Sequence, residues 1–223
     1  MKTVRILEVK QSVFANNDTQ AQKLREELKQ KGIYLLNLMS SPGSGKTTTL
    51  TRLIAALKPD LKIGVMEADI DSDVDAKTIA ATGAKAIQLH TGGMCHLDAA
   101  MTRQGLEGLD ATEADLVVLE NVGNLVCPAE FDTGAVKNMA ILSVPEGHDK
   151  PLKYTLMFQV CDVVLINKID VAPYFDFDFD KCREYIHMRN PEAKIFLISA
   201  KTGEGVDMVA NWLKEEIKNW KGV

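Results

Sequence analysis

The sequence predicts an α/β fold, a mostly parallel central sheet with helices on both faces. Three observations lead there. Ile33 to Met39 (IYLLNLM) is a strand-like apolar run that enters a Ser/Gly/Pro turn and then a stretch with helical apolar spacing at Leu50, Leu53, Ile54 and Leu57. Further short apolar runs recur down the chain, and each ends in residues that carry chemistry. With 223 residues, 46% hydrophobic and 26% charged, the chain is long enough for one domain with a full core.

In chain order, residues 1–17 read as extended and then polar. Thr19 to Lys31 has helical spacing (Leu24, Leu28), and Gly32 is placed to end it. Residues 1–32 are therefore expected to be an extension with a helix, leading into a single domain that spans 1–223. Next comes Leu38 to Leu50, LMSSPGSGKTTTL, which reads as strand, phosphate loop and helix. Gly43 and Gly45 tolerate positive φ, so the N–H groups of Gly43, Ser44, Gly45, Lys46, Thr47 and Thr48 can turn toward a phosphate at the positive end of a helix dipole. Lys46 then reaches the β and γ phosphates, and the Thr47 hydroxyl can ligate Mg²⁺. The first glycine of the usual pattern is replaced by Ser40.

Lys62 to Ala68 (KIGVMEA) is the second strand, followed by an acidic loop with Asp69, Asp71, Asp73 and Asp75. Such carboxylates suit a helix start, or, beside a phosphate site, Mg²⁺ or an attacking water. Lys85 to Leu89 is a strand leading to Thr91-Gly92-Gly93-Met94-Cys95-His96, with a helix starting close by and running through Met101. Ala114 to Leu119 is a buried strand ending in Glu120-Asn121-Val122-Gly123, and Val136 to Val144 is another strand. Asp162 to Asn167 ends in Asn167-Lys168-Ile169-Asp170, and Lys194 to Ile198 in Ser199-Ala200-Lys201. An amphipathic helix, Gly205 to Trp220, closes the chain. All these motifs fall at carboxyl ends of strands, where open parallel sheets bind ligands.

Asn-Lys-x-Asp after a buried strand reads guanine. The Asp170 carboxylate accepts from N1–H and the 2-amino group, the Ala200 N–H meets O6, Asn167 braces the loops and the Lys168 stem covers the base. A site of this kind rejects the wrong base by roughly 10⁴-fold. With the phosphate loop, it makes GTP the expected ligand. At the γ-phosphate, Gly123 N–H can bond the phosphate and Glu120 can hold a Mg²⁺ water. Asn124, not Gln, follows Gly123, so the water-positioning group is sought at Asp75 or Asp69.

Cys95-His96 is a soft donor pair, and Cys127 lies four residues after Gly123. That tether spans at most about 14 Å, so a change at the γ-phosphate reaches Cys127. Thiolate and imidazole suit Zn²⁺ or Ni²⁺, with the choice open, and a two-fold axis would supply a second ligand set. Cys161 and Cys182 read as core, and His90, His148 and His187 as surface or satisfied core. The formal charge of −5 and the lack of a basic stretch argue against nucleic acid. No run approaches the roughly 18 apolar residues of a membrane span, and the first residues lack a signal-peptide centre, so a cytoplasmic protein with reduced thiols is expected.

The stretches SSPGSGKTT, GGMCHLDAAM, LVVLENVGNLVCPAEFDTG, VPEGHDKP, NKID and PYFDFDFD resemble the HypB family of hydrogenase nickel-incorporation GTPases, over nearly the whole chain. Glu in place of Asp at position 120 resembles the SIMIBI branch of phosphate-loop GTPases, which dimerise through the nucleotide. The resemblance implies GTP hydrolysis coupled to nickel delivery in [NiFe] hydrogenase maturation, a GTP-promoted homodimer, HypA as partner and the hydrogenase large-subunit precursor as recipient; with no obvious arginine finger in the sequence, turnover is expected to be slow. By motif match it puts the interface metal on Cys95, His96 and Cys127, and phosphate and Mg²⁺ contacts on Lys46, Thr47, Asp69, Asp75 and Glu120. Some members carry an N-terminal Cys-rich motif or His-rich store, which this sequence lacks, so high-affinity nickel storage is not expected.

Three rivals stand beside this reading. A urease-type nickel chaperone GTPase carries Cys-Pro-His, whereas Ala129 follows Cys127-Pro128 here. A GTP-binding protein with a purely structural zinc is the second. A small-molecule kinase is the third, and it has no need of Asn-Lys-x-Asp.

Overall fold

The computed structural model describes residues 6–69, 78–91 and 93–223. Its centre is a seven-stranded sheet: β1 (Tyr34–Ser40), β2 (Ile63–Asp69), β3 (Lys85–His90), β4 (Leu116–Glu120), β5 (Lys137–Ser143), β6 (Val163–Asn167) and β7 (Lys194–Leu197). The order is β3-β2-β4-β1-β5-β6-β7, and every pairing is parallel. Strands covered on both faces must be apolar throughout, and β1, β4 and β6 are buried at every position. The edge strand β3 is only partly covered.

Side chains alternate between the two faces along each strand. Leu36, Leu38, Val65, Val118, Ile141 and Leu165 face a core closed by helix α2 (Lys46–Leu57) and the C-terminal helix, residues Val206–Lys221. On the other face Leu35, Met66, Val117 and Leu119 pack against α1 (Ile6–Lys31) and α3 (Ala99–Gly108). The short helices α4 (Cys127–Glu130), α5 (Lys150–Lys153) and α6 (Thr155–Val160), with α7 (Phe179–Arg189), cover Met39, Ala140, Leu142, Val164 and Ile166. The C-terminal helix is α8. Among the described residues no helix is long and apolar enough to cross a membrane.

Two elements differ from the sequence reading. The first helix begins at Ile6, well before Thr19. Its Asn17, upstream of the expected start, is buried and bonded to Asp132 and Ala99, and Ala21, Leu24 and Leu28 are buried with Glu27 held by Arg103 of α3 at 2.6 and 3.0 Å, so tertiary contacts reach beyond the stretch that spacing marked. The helix expected around Cys95 begins only at Ala99, because the Asp98 side chain accepts from the Met101 N–H and caps it there. Cys95 and His96 are thereby left on a loop.

Candidate nucleotide and metal site

The phosphate loop follows β1 at the middle of the sheet and turns into α2 at Gly45, whose φ is +100°. A Cβ on Gly45 would lie 2.6 Å from Asn167 Nδ2, so this glycine is required both by its conformation and by its neighbour. Ser40, where the pattern has Gly, is fully buried: its Oγ donates to the Ser41 carbonyl (2.8 Å) and accepts from Ser44 Oγ (2.7 Å) and Lys46 Nζ (3.0 Å). The loop is thus internally bonded, with the Lys46 ammonium parked at its centre.

A cavity of about 420 Å³ opens over the loop, lined by Pro42, Gly43, Gly45, Lys46, Thr47, Thr48, Glu67, Ala68, Gln88 and Glu120 to Gly123. Gly123 presses on the loop: a Cβ there would lie 3.2 Å from Pro42 Cγ and 3.5 Å from Lys46 Nζ.

Base recognition assembles from three strands. Asn167 is buried, with Nδ2 donating to the Ser44 carbonyl (2.9 Å) and Oδ1 accepting from the Ala200 N–H (3.0 Å). Lys168 takes a left-handed conformation (φ 64°) and its Nζ donates to the Gly43 carbonyl at 2.6 Å. Asp170 Oδ1 accepts from Ser199 Oγ (2.6 Å), which also receives the Thr202 N–H (3.1 Å). The Ala200 N–H, expected to face guanine O6, is directed to Asn167, so a base oxygen must share that donor. Lys201 is exposed, and Arg52 of α2 grips the carbonyls of Ala200 and Lys201 at 3.1 and 3.0 Å.

The sequence reading missed several members of the site. Glu67 is one: it is the register partner on β2 of the expected Glu120 on β4, both are buried and line the cavity, and Gln88, also missed, is the partner of Glu67 on β3. Strand alternation was the available signal, since Glu67 has the parity of Val65 on the face that α2 covers. Asn37 bridges Asn138 (2.9 Å) and Asn121 (3.1 Å), whose Oδ1 caps the Val122 N–H, so a buried chain of amides anchors the loop after Glu120. Glu146 accepts from Ser41 Oγ and from the N–H and hydroxyl of Ser143 (2.8 Å each), tying the phosphate loop to the end of β5. Asp75 lies outside the described residues, as do Gly92 and the side chain of Asp69.

Hard oxygen donors suit Mg²⁺, and the paired carboxylates of Glu67 and Glu120 beside Thr47 are such a set. The soft donors gather elsewhere. The Cys95 thiol meets Cys127, and this contact, with burial, raises the Cys95 pKa. Cys95 Sγ lies 4.0 Å from His96 Nδ1, and burial lowers the His96 pKa, leaving a neutral imidazole. His96 stacks on Phe131 with ring centroids 3.8 Å apart and planes 7° from parallel. Among the described residues no three His, Cys, Asp or Glu side chains cluster closely enough to hold an ion unaided. Cys161 and Cys182 are buried, and His148 and His187 are hydrogen-bonded to Asp178 N–H (3.3 Å) and the Ala193 carbonyl (3.1 Å).

Residues 34–197 match the family described as CobW/HypB/UreG, nucleotide-binding domain. The hydrogenase maturation factor HypB of Escherichia coli K12 is 45% identical over 216 residues, covering 97% of this chain and 74% of that protein. The chain belongs to the HypB family. HypB from Helicobacter pylori, in a crystal structure in complex with nickel, superposes with a TM-score of 0.86 at 40% identity, covering 92% of this chain and 96% of that one. The GDP complex of the signal recognition particle 54 kDa protein from Aeropyrum pernix shares the fold, with a TM-score of 0.56 at 15% identity. HypB membership and this wider likeness place the sheet among SIMIBI-type phosphate-loop proteins.

Proposed function

We propose that this protein is a GTPase metallochaperone in which GTP-dependent dimerisation forms a nickel or zinc site at Cys95, His96 and Cys127, and that it delivers nickel for [NiFe] hydrogenase maturation. One observation carries the reading: the loop from Glu120 to Cys127 touches both chemistries. At one end Gly123 lies against Lys46, and at the other Cys127 meets Cys95. Support comes from the nickel complex of the Helicobacter pylori relative and the hydrogenase maturation factors among the homologues.

In the reaction, Lys46 and the N–H groups that open α2 stabilise negative charge on the phosphates as water attacks the γ-phosphorus and the bond to the β–γ bridging oxygen breaks, giving GDP and phosphate. Glu67, Glu120 and Thr47 would hold Mg²⁺, which neutralises phosphate charge when bound. Asp69 and Asp75 are proposed to orient the water. No arginine is placed to serve as a finger by the sequence, so turnover is slow.

The γ-phosphate fixes Gly123, the segment to Cys127 follows, and two subunits close so that each completes the other's ligand set. Hydrolysis reverses this and frees the ion. We further propose a single G domain over 1–223, cytoplasmic location, HypA as partner and a hydrogenase large-subunit precursor as recipient. Titrating Ni²⁺ and Zn²⁺ into GDP and GTP-analogue forms, with oligomeric state followed in parallel, tests the reading. Affinity that ignores the nucleotide sinks the coupling and favours a structural zinc.

A further inference from the structure

Helix α1 contributes one residue with an unusual pair of contacts. Asn17 is buried, and its Nδ2 donates to the Asp132 carbonyl at 3.0 Å while its Oδ1 accepts from the Ala99 N–H at 3.0 Å. The Ala99 N–H opens α3 and has no acceptor inside its own helix, so the bond fills a real vacancy. Ala99 follows Cys95 and His96 by a few residues, and Asp132 follows α4, which begins at Cys127. A single side-chain amide therefore clasps the two segments that carry the soft donors.

On the far side of this clasp the same segments meet twice more, through the stack of His96 on Phe131 and the contact of the Cys95 and Cys127 thiols. Arg25, farther along α1, holds the Asp132 carboxylate by bonds of 2.7 and 2.9 Å and the Ala135 carbonyl at 2.8 Å. Arg25 thus fixes only one of the two segments. Asn17 binds both, because an amide presents a donor and an acceptor on one short, rigid group.

We propose that Asn17 is a positioning residue for the metal pocket, holding the Cys95-His96 loop against the segment from Cys127 to Asp132 so that thiols and imidazole converge. This inference rests on the metal site proposed above. It gives the N-terminal helix a role in cargo binding: α1 sets the distance between the two ligand-bearing segments. Without the clasp the ligands must be ordered by the ion itself, and loss of such supporting bonds lowers metal affinity by about 10–100-fold.

The test is a Ni²⁺ titration of the full chain in its GTP-analogue form, followed by thiolate-to-nickel charge-transfer absorption, with affinity for a fluorescent GDP and the thermal midpoint measured separately on the same proteins. Asn17→Ala is expected to weaken nickel binding at least about tenfold and alter the charge-transfer band while leaving GDP affinity unchanged. Asn17→Asp keeps the acceptor for Ala99 but sets a carboxylate against the Asp132 carbonyl, so it shows the same change and serves if the alanine variant folds poorly. Ile217→Val, in the core of α8, supplies a matched loss of stability and should bind nickel like the parent. Parental nickel affinity and spectrum in either Asn17 variant overturn the clasp, as does an equal loss in Ile217→Val. Parental binding by Cys127→Ala instead overturns the site assignment, and the clasp falls with it.

Discussion

Replacing Asn167 by Ala tests the brace that joins the phosphate loop to the base loop. The amide is buried and makes bonds of 2.9 Å to the Ser44 carbonyl and 3.0 Å from the Ala200 N–H. Truncation leaves one buried acceptor and one buried donor without partners, each costing about 1–3 kcal/mol. Some relaxation toward solvent is available at the cavity edge, so a loss of about 2–4 kcal/mol is expected. At roughly 2–4 °C per kcal/mol for a domain of this size, the thermal midpoint should fall by about 5–15 °C. Nucleotide must then order loops that the parent holds ready, an extra cost of about 1–2 kcal/mol, which weakens GDP by about 5–30-fold. Scanning calorimetry and fluorescent-GDP titration measure the two effects. Gly45→Ala attacks the same brace from the other side, since its Cβ would lie 2.6 Å from Asn167 Nδ2. A folded Asn167→Ala protein with parental GDP affinity would refute the idea that this amide pre-orders the site.

Other expectations follow from single contacts. Asp170→Asn should weaken GTP by roughly 10²–10⁴-fold and favour xanthine nucleotides, whose 2-oxo group accepts from the new amide; competition binding with GTP and XTP reads this. Glu67→Gln should raise the Mg²⁺ concentration needed for half-maximal binding of a GTP analogue by up to about tenfold, with Mg²⁺-free GDP binding unchanged; an unaltered Mg²⁺ curve removes Glu67 from the site. Burial raises the Asp115 pKa, but bonds from the Lys221 ammonium and from the Lys62 N–H (2.7 Å) outweigh it and hold the carboxyl below its ordinary value. A depressed carboxylate stabilises the fold above its unfolded pKa and loses that contribution as pH falls through the folded value. Asp115→Asn should therefore cost about 1 kcal/mol near neutral pH, with the difference from the parent shrinking in urea titrations as pH falls through the lowered carboxyl pKa.

The sequence alone determined the sheet and its chemistry-bearing ends. Short, largely apolar runs such as Leu35 to Met39 and Val163 to Ile166 read as strands buried on both faces, and glycine spacing around Lys46 reads as a phosphate loop. Those signals are local, set by side-chain period and backbone freedom within a few residues. What the sequence hid were contacts between distant segments. Glu67 gained its place beside Glu120 from strand order, Asn37 from lying between Asn121 and Asn138, and Glu146 from the fold bringing Ser41 to it. Asn17 is the extreme case: 82 residues separate it from Ala99 and 115 from Asp132, and nothing near it in the chain announces either partner. Period and propensity are properties of neighbours in sequence, whereas a buried amide finds its donor and acceptor only after helices have packed on the sheet, and so tertiary structure alone decided which polar side chains hold the site together.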